Sequence, residues 1–298
     1  TSQNLRNTDG SGWIPVNFNR ISSNSPISQL PIDPQNTTST KYYTYVTGGS
    51  WQLAVKMESQ KYQATAHASG GADPSTYTIG NNLTLAPFVG GLVGWWKFDD
   101  GGGVTAMDSS GFGNSGTLYN SPAWSSGRVG SGSLTFNNIN TYVQLATSTQ
   151  IRVKAKTISF WANPVSTKTY NMILGTTGAN YYVAFSGSNK MFASYVSNNV
   201  VQIANVIADG VVSTGVWAHY SFVFDVSGES VIVSAYKNGV LVGSQSRTDG
   251  YSSTMTTVFY LGSYAPADNV FNGALDDIRF YNRALSAAEI SALYNATK

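Results

Sequence analysis

Apolar and polar positions alternate every second residue in several stretches of this chain, the spacing of strands with one face buried. Trp51, Leu53, Val55 and Met57 alternate with Gln52, Ala54 and Lys56, and Tyr42–Val46 precedes them across Gly48-Gly49. These two runs predict a hairpin, with a third strand at Thr76–Ile79. Beyond Gly91 such runs become denser: Thr157–Trp161, Tyr181–Phe185, Trp217–Phe224 and Val231–Lys237 are rich in aromatic and β-branched residues. Between Lys237 and Val240 lies Asn238-Gly239. That pair readily adopts the positive φ angles of a type I′ turn, so it predicts a two-residue hairpin. A helix is predicted only at the end, where Ser286-Ala-Ala-Glu289 is a capping box and Leu285 and Ile290 form a hydrophobic staple. Ile290, Leu293 and Tyr294 give that helix one apolar stripe for docking.

The pattern changes at a seam around Ala86–Gly91, which predicts two domains, 1–90 and 91–298. The expected class is mainly β: a small head with a short antiparallel sheet, then a β-sandwich. Composition narrows the function. Only 11% of the 298 residues are charged and the net charge is +2, without the concentrated basic face that nucleic acid requires. There is no cysteine, which excludes disulfides, cysteine-bound zinc and a thiol nucleophile. No apolar run approaches the ~20 residues that span a bilayer, so no membrane contact is expected of the chain as given. Its polar start at Thr1 suggests a mature form whose anchoring segment has been removed.

Oxygen-rich side chains concentrate in Asp108-Ser-Ser-Gly-Phe-Gly-Asn114, where glycines allow backbone carbonyls to turn inward. Calcium selects such mixtures of carboxylate, amide and carbonyl oxygen; the competing reading is that Asp108 caps a turn and needs no ion. His219 reads as a packed or hydrogen-bonded residue, and His67 stands in a polar loop without a second imidazole near it. Glycoside hydrolysis requires two carboxylates across a scissile bond. The only glutamates are Glu58, Glu229 and Glu289, and none shares a strand face with a second acid, so no catalytic residue is expected. Aromatics among Asn and Ser at Tyr119, Trp124, Tyr170, Tyr181, Tyr182, Tyr251 and Tyr264 suit stacking on sugar rings. Of these, Tyr181, Tyr182, Trp124 and Tyr264 are the expected ligand contacts.

Two family resemblances extend this reading. Gly10–Phe18, Leu30–Pro34, the Tyr-rich strand and Met57–Tyr62 resemble the globular head of type IV pilin-like proteins, the G-type pseudopilins in particular. This implies a head without its N-terminal helix, whose partners would be other pilin-like subunits through that helix. The second part is similar to the LamG-like jellyroll family of concanavalin A-like lectins and glucanases. The motifs are Gly91–Asp100, Asp108–Asn114, Trp217-Ala-His219, Tyr236–Val240 and Phe271–Leu285. That resemblance implies a calcium ion tying first and last strands together, with Asp108, Asn114, Asp276, Asp100 and Asp99 as candidate ligands. Taken together, the expectation is a non-catalytic adhesin at a bacterial cell surface or pilus, extracellular, recognising carbohydrate or a cell-surface protein. The alternatives are a structural pilin or spacer subunit without a ligand, and a polysaccharide hydrolase.

Overall fold

In the computed structural model of this protein, the described residues are 43–47, 51–56, 76–80 and 91–298, the latter without 147, 154–155, 167–169, 177–180, 188, 198–199, 203–206, 229, 249–257 and 267. The chain divides into two compact units, Thr1–Pro87 and Phe88–Lys298.

The first unit contains β1 (Tyr43–Thr47), β2 (Trp51–Lys56) and β3 (Thr76–Gly80). They form an antiparallel sheet with β2 in the middle, Leu53 lying opposite Tyr45 on one side and Ile79 on the other. The hairpin and third strand therefore stand where the alternation put them. The other pilin-like motifs, with Glu58 and His67, lie outside the described residues.

The second unit begins with β4 (Leu92–Trp96), β5 (Thr105–Ala106), β6 (Gly116–Tyr119), β7 (Ala123–Ser125), β8 (Ser133–Asn137) and β9 (Tyr142–Leu145). It continues with β10 (Lys156–Pro164), β11 (Asn171–Thr176), β12 (Tyr181–Ser186), β13 (Lys190–Ser197) and β14 (Val200–Gln202). The last strands are β15 (Ala218–Ser227), β16 (Ser230–Lys237), β17 (Val240–Arg247), β18 (Phe259–Leu261) and β19 (Asn272–Tyr281), before helix α1 (Ala287–Thr297).

Two antiparallel sheets result. The first runs β17-β16-β15-β10-β19-β8-β7, and β4 also pairs with β19. The second runs β14-β13-β12-β11-β18-β9-β6-β5. Alternate residues of the central strands enter the shared core: Ile158, Phe160 and Ala162 of β10 and Tyr220, Phe222 and Phe224 of β15 share one cluster with Val183 and Phe185 of β12. Two sheets whose inner faces share one core form a β-sandwich.

Local sequence explains two joints that shape it. Asn238 and Gly239 take φ of 50° and 79° at the β16–β17 turn. At α1 the capping box closes, Ser286 Oγ accepting from Glu289 N at 3.3 Å and Ser286 N donating to Glu289 Oε2 at 2.7 Å. Glu289 also holds Arg283 at 2.6 Å, so the residue that caps the helix ties it to the preceding loop.

Candidate functional site

The outer faces of the two sheets differ in what they carry. On the first, the outward residues Trp161 and His219 meet Tyr294 of α1, with ring centroids 6.0 and 5.9 Å apart, and Trp161 Nε1 donates to Thr297 Oγ1. His219 accordingly behaves as the packed residue that its lone position suggested. Its Nε2 is 2.7 Å from Ser159 Oγ, and burial, with Arg279 nearby, drives its pKa down to about 3. A neutral imidazole sealed under a helix cannot reach a substrate.

The outer face of the second sheet carries aromatic rings. Alternation on β12 sends Tyr181, Val183 and Phe185 into the core and turns Tyr182 and Ala184 outward. On β13 it buries Met191 and Ala193 and turns Phe192 outward. Met172, Tyr182, Ala184 and Phe192 form a cluster separate from the main core, with Tyr264 packed against it. The Tyr182 and Phe192 rings stack at 5.6 Å, Tyr264 stands edge-on to Tyr182 at 5.8 Å, and Tyr170 edge-on to Phe192 at 5.7 Å. Tyr170 is 36% exposed and forms the open margin of the cluster.

Tyr264 is set by a tightly folded loop. Tyr264 N donates to Asp268 O at 2.9 Å, Phe271 N to Gly262 O at 2.8 Å, and Gly262 N to Ile173 O at 2.9 Å. Gly262 has φ of +75°, and a Cβ there would collide with the Phe136 ring, so this position requires glycine. Burial raises the pKa of Tyr182 above that of an ordinary phenol.

The expected ligand aromatics therefore separate. Tyr182 and Tyr264 share one cluster. Tyr181 is a correction: its ring is 0% exposed, 4.7 Å from Phe224, with Lys156 Nζ 4.2 Å above it, so it is core and offers no surface to a ligand. Strand parity decides between these neighbours, and two consecutive tyrosines conceal it. Trp124 lies on β7 of the other sheet, edge-on to Phe98 at 6.5 Å, its Nε1 donating to Gly103 O. Tyr251 lies outside the described residues. Sequence reasoning missed Phe192 and Met172 because Met191-Phe192-Ala193 is apolar on both faces and shows no alternation.

The expected metal ligands also fall into separate groups. Asp108 is occupied by hydrogen: Oδ1 accepts from Trp95 N and Ser110 N, and Oδ2 from Ser110 Oγ and Asn114 N, all within 2.7–2.9 Å. Asn114 donates Nδ2 to Val93 O, while its buried Oδ1 has no hydrogen-bond partner. Asp100 accepts only a long bond from Met107 N at 3.3 Å. Asp99 and Asp276 hold opposite ends of one glycine-rich loop, 127–132. Asp276 Oδ2 accepts from Arg128 N and Val129 N at 2.7 and 2.8 Å, and Asp99 Oδ1 accepts from Ser131 N and Gly132 N at 2.6 and 2.8 Å. Asp276 is 0% exposed, its Oδ1 has no partner, and burial pushes its pKa up to about 7. Among the described residues no three of His, Cys, Asp and Glu converge as a metal cluster.

Two antiparallel sheets around one shared core, with a helix at the C-terminal end, are consistent with a jellyroll β-sandwich. The chain belongs to the concanavalin A-like lectin/glucanases superfamily, whose Laminin_G_3 family matches residues 136–291. No curated protein matches it in sequence. Among solved structures it is similar to domain 4 of AbnA, a GH43 extracellular arabinanase from Geobacillus stearothermophilus, in complex with arabinotriose. There the identity is 20% and the TM-score 0.53, over 70% of this chain and 98% of that one. It is also similar to the binding domain of Paraclostridial Mosquitocidal Protein 1, at 17% identity and TM-score 0.54 over 69% of this chain. The binding domain of Botulinum Neurotoxin DC in complex with SialylT matches at 12% identity and TM-score 0.53, over 71% of this chain. This chain covers 52% of each of the two toxin domains.

Proposed function

We propose that the second unit is a non-catalytic carbohydrate-recognition module whose ligand stacks on Tyr170 and Tyr264, the partly exposed rings packed against the buried Tyr182 and Phe192 pair. The observation that carries this reading is an aromatic cluster outside the sandwich core, set on a rigid sheet and ending in a partly open ring. Sugar sites combine such apolar faces with a few placed polar groups. The similarity to domains crystallised with arabinotriose and SialylT supports the ligand class. Absence of catalysis is part of the proposal. A general acid needs a raised pKa and access to the scissile oxygen. Asp276 has the first, but it lies fully buried beneath its loop. Asp225 is solvent-exposed at a strand end.

A glycan array probed with the whole chain tests the reading, with Tyr264→Ala as the control. Binding that Tyr264→Ala weakens about tenfold or more supports it. No binding to any glycan, or binding indifferent to Tyr264, overturns it, and sugar release from a bound polysaccharide overturns the non-catalytic part.

A structural calcium ion belongs to the same proposal. The unpartnered Oδ1 of Asp276 supports Asp276 as its buried acid and Asp99, at the other end of the 127–132 loop, as its second. Asp108 is less suited, because N–H and O–H donors already occupy both of its oxygens. The first unit, by its resemblance, would serve as the pilin-like head that places this module on a bacterial surface. Cross-linking to pilin-like subunits on intact cells tests that placement.

A further inference from the structure

The aromatic cluster does not exhaust the outer face of the second sheet. Three strands away from Tyr182, Tyr142 of β9 lies opposite Tyr119 of β6 in register. Their rings stack at 4.9 Å with only 9° between planes, and Tyr260 of β18 stands edge-on to Tyr142 at 5.7 Å. Tyr119 is 38% exposed, so one side of this stack is open.

A polar row accompanies the stack. Thr105 lies opposite Thr117, Thr117 opposite Gln144, and Gln144 opposite Tyr260. Strand partners share a face, so the hydroxyls of Thr105 and Thr117 and the Gln144 amide flank the tyrosines. Thr105 and Thr117 are exposed and Gln144 is half-buried. Thr105, Thr117, Tyr119, Tyr142, Gln144 and Tyr260 include no charged residue. An open ring beside neutral donors and acceptors suits a sugar that carries no charge; a sialoside or uronic acid would find no cation among them.

Strands within a sheet stand about 4.8 Å apart, so the four steps from β12 to β6 separate the Tyr182 and Tyr119 strands by about 19 Å. One sugar cannot bridge that distance; several joined in a line can. Both tyrosine groups belong to the same continuous sheet, which fixes their spacing.

We propose that Tyr119, Tyr142 and Tyr260, with Thr105, Thr117 and Gln144, form a second saccharide subsite, so that this face takes an extended, neutral, linear glycan chain. This rests on the carbohydrate reading of the Tyr264 cluster and goes further by specifying the ligand's shape and charge. Two subsites filled by one ligand bind more tightly than either alone because the second contact is intramolecular.

The test uses trisaccharides and hexasaccharides of the arabinan, xylan and cellulose series, titrated calorimetrically against the whole chain. In at least one series the hexasaccharide is expected to bind about tenfold or more tighter than the trisaccharide. Tyr119→Ala and, separately, Gln144→Ala are expected to bring hexasaccharide affinity down to the trisaccharide level, whereas Tyr264→Ala weakens both lengths. Equal affinity for the two lengths overturns the subsite, as does a length advantage that survives both Tyr119→Ala and Gln144→Ala. Failure of all three neutral series overturns it too, even where the array shows binding of acidic glycans through Tyr264.

Discussion

The two outer faces of the sandwich follow the same alternation of inward and outward residues on different strands, yet they differ in what covers them. On the first sheet, Trp161 is 2% exposed and closed over by Tyr294 and Thr297 of α1, with the Arg128 guanidinium 4.8 Å from its ring. On the second, Tyr119 and Tyr170 remain more than one-third exposed, and no helix among the described residues covers them. Where an aromatic side chain is sealed by the chain's own helix it adds stability; where it is left partly open it is available for recognition. Aromatic residues of similar composition thus differ in exposure according to which sheet face they occupy.

The largest effect should come from breaking the closed face. Trp161→Ala removes a buried ring from beneath α1 and is expected to destabilise the second unit by about 3–5 kcal/mol, measured by denaturant unfolding. The same truncation at Tyr119 should lower stability by about 1 kcal/mol or less, because its ring is open to solvent. Similar losses at the two positions would end the contrast.

Calcium sharpens the comparison, since the 127–132 loop carries Arg128 onto Trp161 of the closed face. If the ion binds with its concentration a hundred times Kd, it adds about 2.7 kcal/mol. Chelation should then lower the melting temperature of wild type but leave Asp276→Asn unmoved; equal responses would count against Asp276 as a ligand.

Tyr264→Ala should reduce glycan affinity about tenfold, equivalent to about 1.4 kcal/mol, with little change in melting temperature. A further test concerns pH. His219 is held neutral, with a folded pKa near 3 against 6.5 in the open chain. The unfolded state takes up that proton first, so this stability is complete above about pH 6.5 and declines as pH falls towards 3. His219→Gln should flatten that slope in a melting series between pH 7 and pH 4.

Much of the scaffold was readable from local chemistry. The Asn238-Gly239 turn, the Ser286–Glu289 cap and the alternating run of β10 each specify their geometry within a few residues. The site was less readable, because it depends on parity and on long-range placement. Tyr181 and Tyr182 are indistinguishable by composition, and only the register of β12 against β13 buries one and turns the other outward. The Asp108 loop reads as an ion cradle in sequence, whereas in the structure the N–H groups of Trp95, Ser110 and Asn114 and the Ser110 hydroxyl donate to its carboxylate. The 127–132 loop drew no notice because its partners, Asp99 and Asp276, are remote from it in sequence.

The pairing of β4 with β19 has a mechanical consequence. Leu92 stands opposite Tyr281, Gly94 opposite Phe280 and Trp96 opposite Ile278, and Asn282 N donates to Gly91 O at 2.7 Å. Chain enters and leaves this pair at one end of an antiparallel ladder. A pull applied between residues 91 and 282 therefore loads the rungs in succession, as a zipper opens, instead of shearing them together. Among the described contacts, α1 and its docking on Trp161 lie beyond that exit, so tension carried through the C-terminus must peel the helix away before it reaches the ladder. A module loaded between these two points would yield first at this corner, while the tyrosine-bearing sheet on the other side of the core stayed paired.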